Sequence, residues 1–163
     1  ALVVVTRANQ TDGGAIAEIR RAIERFGPEV PVAVAGIAAE GLVDGDGGRH
    51  SLETLAQGDF FAVCGLGNPQ SFLELLRAVG HDFEWALFAD HHRYGHADVD
   101  YIRAQASEAA AVWVVTTRKD WVKLHRLWPS SPPGLLRLDM RVTWLEGEPL
   151  VDAALRAALE RQA

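Results

Sequence analysis

Phe60-Phe61-Ala62-Val63-Cys64-Gly65-Leu66-Gly67-Asn68-Pro69 is the stretch on which the fold turns. Five apolar residues without a polar interruption predict a strand buried on both faces, as in parallel sheets covered by helices. Gly65-Leu66-Gly67 reads as a tight turn and Asn68 as a helix cap. Pro69 reads as the first helical residue, where an amide hydrogen would lack an intrahelical partner anyway. Phe72, Leu76 and Val79 then share a helical face, and Gly80 ends the helix. A strand, a glycine turn and a helix start in this order form the unit from which open α/β sheets are built. Such a turn can hold an anion, because free amides at a helix start carry partial positive charge. The glycines also answer to the sterics of a tight turn alone.

The same rhythm extends outward in both directions. Leu2 to Thr6 reads as a strand, Thr11 as an N-cap, and Ile16, Ile19, Ile23 and Phe26 as the core face of a helix that Gly27-Pro28 stops. From Pro31 to Gly58 the small residues, and the Gly/Asp-rich run Asp44-Gly45-Asp46-Gly47-Gly48, predict a hairpin-like arm. Phe83 to Phe88 is strand-like, and Asp98 reads as the cap of a helix through Ile102 and Ala106 towards Ala110. Val112 to Val115 is a further strand, and Leu135 to Trp144 one or two more. Leu150, Ala154, Leu155, Ala158 and Leu159 give the apolar face of a closing helix. The expectation is a single α/β domain over residues 1–163, a three-layer, mostly parallel, Rossmann-like sheet with helices on both faces and an arm near residues 31–58.

Composition narrows the function classes. The chain has 163 residues, 48% hydrophobic and 23% charged, and no run of the roughly 20 apolar residues that a membrane-spanning helix needs. A formal net charge of -6 without a basic stripe argues against nucleic acid as a partner, since phosphate neutralisation dominates that affinity. The one cysteine, Cys64, lies inside an apolar run and reads as an inert buried thiol in a reducing compartment. Ala1 opens straight into a strand without a polar lead-in, which reads as a piece of a longer polypeptide.

The chemistry concentrates at Phe88-Ala89-Asp90-His91-His92-Arg93-Tyr94, directly after a predicted strand, with His96 close behind. Open α/β sheets build their sites at strand ends. A carboxylate beside imidazoles can orient a histidine for proton transfer, and imidazole suits acid/base work near neutral pH. The same residues could ligate a metal, although no companion ligand cluster is visible, or form a turn with solvated histidines. A second polar group, Thr116-Thr117-Arg118-Lys119-Asp120, also follows a strand.

At these residues the chain resembles a known family, the tetraacyldisaccharide 4'-kinases that phosphorylate lipid A precursors in Gram-negative bacteria. Phe61 to Pro69 followed by Phe72 is similar to the family's FAGIGNP..F, Phe88 to Tyr94 to its FPDHH.Y, and Thr116 to Leu124 to its TEKDAVKL. Leu2 to Thr6 resembles the family's VVVT strand. Ala89 stands where the family has Pro, and Arg118 where it has Glu, which inverts a charge beside Lys119.

The resemblance implies a kinase that moves the γ-phosphoryl group of ATP, with Mg²⁺, onto the 4'-hydroxyl of a tetraacyldisaccharide 1-phosphate. It implies peripheral attachment to the cytoplasmic face of the inner membrane. It also implies an N-terminal P-loop domain as partner, and no G-x-x-x-x-G-K-[ST] occurs in this chain, so these residues alone are expected to be inactive. The family's catalytic Asp lies in that first domain, paired with a His that matches His91. Asp90 would hold His91 in its working tautomer or cap the turn. Arg93, Tyr94, Lys119, Asp120, Asn68 and Gly67 would line a substrate or phosphate cleft, Lys119 and Asp120 alternatively forming a helix-start ion pair. No residue is assigned to a metal. His50, His81, His96 and His125 read as surface residues, and the tryptophans as core or interface, with Trp121 and Trp128 candidates for acyl chains or membrane surface. Two readings from other classes remain: a manganese phosphoesterase, prompted by Asp90-His91-His92 with Asp44-Gly45-Asp46, and a non-catalytic sugar- or lipid-phosphate binding module using the Gly65 to Asn68 loop.

Overall fold

A computed structural model describes residues 1–79 and 82–161; Gly80, the expected helix stop, and His81 lie outside them. The strands are β1 (Val3–Val5), β2 (Val32–Val43), β3 (Arg49–His50), β4 (Phe60–Cys64), β5 (Glu84–Leu87), β6 (Trp113–Thr117) and β7 (Gly134–Glu146). The helices are α1 (Gly13–Phe26), α2 (Glu53–Ala56), α3 (Gln70–Arg77), α4 (His96–Glu108), α5 (Arg118–Leu124) and α6 (Glu148–Glu160). The seven strands pair in a mostly parallel, mixed pattern, the expected α/β class. The chain divides into two compact units, residues 39–140 and residues 1–38 with 141–163.

In the unit of residues 39–140, β6 pairs in parallel with both β4 and β7, and β4 pairs in parallel with β5. All five residues of β4 are buried, as a central parallel strand requires. Phe61, Val63, Val99, Ile102, Val114 and Leu124 form one core cluster from strands and helices together. Each fully buried side chain of this size contributes about 1.5–3 kcal/mol relative to exposure. α3 begins one residue later than expected, with Pro69 rather than Asn68 at the cap and its carbonyl accepting from the Phe72 and Leu73 amides. Asp98 caps α4 from inside the helix: Gly95 is the N-cap, and its amide donates to the Asp98 carboxylate at 2.8 Å. Of the arm expected over residues 31–58, the structure has only a hairpin between the end of β2 and β3, closed by Asp44 to Gly48; Val32–Val43 is itself a strand of the sheet, paired in parallel with β1 at its start, and Glu53–Ala56 is a short helix.

In the unit of residues 1–38 and 141–163, β1 pairs in parallel with the start of β2. Asp12, not Thr11, caps α1, its carboxylate accepting from the Ala15 amide at 2.8 Å. The expected core face of α1 is not buried. No residue of α1 or α6 is buried, and Phe26 is 86% exposed. Leu135 to Trp144 lies within one long strand, β7, rather than two.

Candidate functional site

Because β4, β5 and β6 run parallel, their carboxyl ends, Cys64, Leu87 and Thr117, bring three polar loops to one edge of the sheet. β4 lies between the other two, so its glycine loop is the floor over which the flanking loops meet. Lys119, from the start of α5, donates to the Asp90 carboxylate at 2.5 Å and to the Gly65 carbonyl at 3.4 Å. Side chains on the glycines of this loop would crowd their neighbours. A Cβ on Gly67 would meet the Asp90 carboxylate at 3.3 Å, and one on Gly65 would meet the Tyr94 hydroxyl at 3.0 Å. Here glycine serves close approach of neighbouring groups.

Under this floor sits Asp120, fully buried. Its carboxylate accepts from the Gly65 amide at 2.9 Å and from the Thr117 hydroxyl at 2.9 Å, while Thr117 caps α5 by accepting from the Asp120 amide at 3.1 Å. Lys123 lies 3.7 Å away as a partial counter-charge. A buried carboxylate persists only when hydrogen-bonded and neutralised in this way. Burial, then the charge of nearby Asp120, push the Tyr94 hydroxyl far above its ordinary pKa, so it stays protonated. Burial likewise raises Cys64 to about 11, which fits an inert thiol.

Above the floor is the turn of His91. The Ala89 carbonyl accepts from the His92 amide at 3.1 Å, and His91 itself adopts φ 60°, a left-handed conformation uncommon outside glycine. Its amide donates to the Asp90 carboxylate at 3.0 Å, its Nε2 is 3.7 Å from Asp90 Oδ2, and its side chain is 82% exposed. The Lys119 hydrogen bond foremost, then the proximity of His91, hold Asp90 below the usual carboxylate range. His92 is turned inward, against the Phe88 ring at 4.7 Å and 3.2 Å from the Asp98 carboxylate. The Gly95 amide, then His92, lower Asp98.

The structure therefore brings Asp90, His91, Lys119 and Gly67 together at the strand ends. Asn68 and Arg93 are exposed on the neighbouring loops. Asp120 is sealed beneath the loop, and the Tyr94 hydroxyl faces the protein, so neither reaches an open cleft. Lys119 pairs across to Asp90 with Arg118 in place of the family's Glu. Sequence reading missed Lys123, which donates to the His92 carbonyl at 3.0 Å. Its signal was the four-residue spacing from Lys119.

Other expected residues fall elsewhere. Trp121 and Trp128 pack against the core cluster rather than standing on an open helix surface. Trp121 stacks on His125 at 4.2 Å, and the Trp128 indole donates to the Pro133 carbonyl. His96 is exposed, whereas His50 is half-buried and bonded to Asp44 at 2.8 Å. Asp44 also accepts from the Asp46 and Gly48 amides, so it serves its own turn. Among the described residues no group of three or more His, Cys, Asp or Glu is placed to hold a metal. The Gly65 amide donates to Asp120, so that amide is not free to bind an anion.

Residues 1–160 match the family model described as tetraacyldisaccharide-1-P 4'-kinase, LpxK. The tetraacyldisaccharide 4'-kinase of Anaeromyxobacter dehalogenans (strain 2CP-1) is 38% identical over 128 residues, covering 75% of this chain and 33% of that protein. Its counterpart in Syntrophus aciditrophicus is 38% identical over 104 residues, 62% of this chain and 28% of its own length. The chain thus spans about a third of these relatives. Among solved structures it is similar in fold to the "apo" form of LpxK from Aquifex aeolicus in complex with ATP, with TM-score 0.53 and 19% identity. That match covers 95% of this chain and 51% of the solved one.

Proposed function

This chain belongs to the tetraacyldisaccharide-1-P 4'-kinase family, and from that premise we propose that it supplies the His91-bearing part of an ATP-dependent lipid kinase. The substrate in this reading is a tetraacyldisaccharide 1-phosphate, phosphorylated on its 4'-hydroxyl and met peripherally at the cytoplasmic face of the bacterial inner membrane. The partner is a P-loop portion of the same protein, and residues 1–163 are inactive without it.

The observation that carries the reading is the His91 ring, exposed at the carboxyl ends of three parallel strands on a turn fixed by Asp90. An imidazole so placed is available to a carboxylate from outside these residues. That carboxylate accepts the proton of the sugar hydroxyl as the hydroxyl oxygen bonds to the γ-phosphorus and the bond from that phosphorus to ADP breaks, releasing ADP, and His91 orients the carboxylate. Phosphoryl transfer depends chiefly on such positioning. Among the described residues, the two carboxylates at these strand ends do not fit Mg²⁺: Asp90 is bound to Lys119, and Asp120 is buried and hydrogen-bonded to the loop. The ion and the ATP phosphates are therefore assigned to the P-loop portion. A partner finds support in the unit of residues 1–38 and 141–163, where Val3, Ile19, Ile23, Phe26 and Val30 line an open apolar groove of about 440 Å³. Among the described residues no helix is long and apolar enough to cross a membrane.

The test is transfer from ATP to tetraacyldisaccharide 1-phosphate by the full-length protein. His91→Ala should lower kcat by about 10²-fold or more, the scale of a lost proton-transfer contribution, with KM little changed. An unchanged kcat would remove His91 from the mechanism.

A further inference from the structure

The turn that carries His91 is held from one side by a single helix. Lys119 and Lys123 are four residues apart on α5, hence on one face. Lys119 binds the side chain of Asp90, the residue before His91, and Lys123 binds the main-chain carbonyl of His92, the residue after it. Lys123 also lies over the Tyr94 ring at 5.7 Å and beside buried Asp120. Between the two grips the His91 amide donates to Asp90, and its backbone stays at φ 60°. A non-glycine residue in that conformation costs about 1–2 kcal/mol and persists when its surroundings impose it.

We infer that Lys119 and Lys123 are positioning residues, a two-point clamp that fixes the His91 turn and so aims its imidazole. This rests on the kinase reading only for its consequence in turnover; the clamp itself is a statement about the turn. Neither lysine is asked to touch substrate. Lys119 has a carboxylate on its ammonium group, and Lys123 a carbonyl and a buried carboxylate.

The experiment is a set of double-mutant cycles in the full-length protein. Lys119→Met and Lys123→Met should each lower kcat about tenfold, a fraction of what a 1 Å misplacement can cost, with KM for both substrates unchanged. Lys119→Arg should recover most of the loss, because it keeps the charge over Asp90. In the His91→Ala background the same methionine substitutions should have no further effect, since groups acting through one residue are not additive with its removal. Equal losses in both backgrounds would show that the lysines act on the ligands directly and would overturn the clamp. So would no loss in the parent protein while His91→Ala is strongly impaired.

Amide exchange at His91 tests the turn without any assay of turnover. It should quicken about tenfold in Lys119→Met, and an unchanged rate would overturn the clamp even if the kinase reading fails. Should Lys123→Met fail to fold because Asp120 loses its counter-charge, Lys119→Met, whose partner Asp90 is exposed, carries both measurements.

Discussion

The two units use their apolar residues in opposite ways. In residues 39–140, α3 buries Phe72, Leu73, Leu75 and Leu76 out of eight residues, and β4 is buried throughout. In residues 1–38 and 141–163, α1 and α6 are also amphipathic in sequence yet bury no residue fully, and Leu155 and Leu159 stand 58% and 68% exposed. Helical periodicity marks a face that wants cover; it does not say what covers it. The first unit builds a core cluster from its own strands and helices, so its loops can be held rigidly enough to present a turn such as that of His91. The second leaves apolar surface of the kind that marks an interaction site.

The sharpest test of that contrast lies at the buried end of the site. Asp120→Ala would leave the Gly65 amide and the Thr117 hydroxyl without their acceptor and Lys123 without its counter-charge. The expected loss is about 2–4 kcal/mol, the cost of orphaning two buried donors. Chemical denaturation of the full-length protein measures it, and by the same contrast His91→Ala should stay within about 0.5 kcal/mol. A loss below about 1 kcal/mol for Asp120→Ala would mean that the loop is not held from beneath.

Much of the first unit was legible in the sequence because it is written in contiguous residues. Phe60 to Cys64 could be read as a buried strand from its lack of polar residues, and the strand-end position of Asp90 and His91 followed from the αβ rhythm. The Asp120 grip on Gly65 spans 55 positions, and the Lys123 grip on His92 spans 31, so no local pattern announces them. The sense of α1 was legible, its burial was not, because an apolar stripe looks the same whether its cover is near in sequence or on another part of the polypeptide. The left-handed backbone of His91 was hidden for a related reason: it is imposed by neighbours, not by the residue's own preference.

Acid should distinguish the units by a smaller margin. Asp44, Asp90 and Asp98 all belong to residues 39–140 and are all held below the usual carboxylate range, by His50, Lys119 and the Gly95 amide respectively as the leading causes. A depressed folded-state pKa means that the unfolded chain takes up the proton more readily. This contribution is thus fully present above the unfolded carboxylate value, about 4, and is lost as pH falls through the lower folded values. These groups sit near solvent, so the effect is modest and weakens with salt. Limited proteolysis between pH 5 and pH 3 should open the hairpin at residues 44–50 and the loop at residues 89–98 before α1 or α6. Earlier cleavage in the helices would assign the acid sensitivity to the other unit.

The smallest effect is the most telling about α1. Phe26 is 86% exposed, so Phe26→Ser in the 163-residue chain removes almost no buried area and should change stability by no more than about 0.5 kcal/mol. If the groove beside it is covered in the longer protein, the same substitution there should cost about 1.5–3 kcal/mol, the value of burying a side chain of that size. Comparing denaturation midpoints of the two lengths therefore reads out the cover directly. Equal, negligible costs in both would leave the apolar face of α1 bare in the whole protein. A large cost in the short chain would mean that this helix is packed as tightly as α3, and the contrast between the units would go with it.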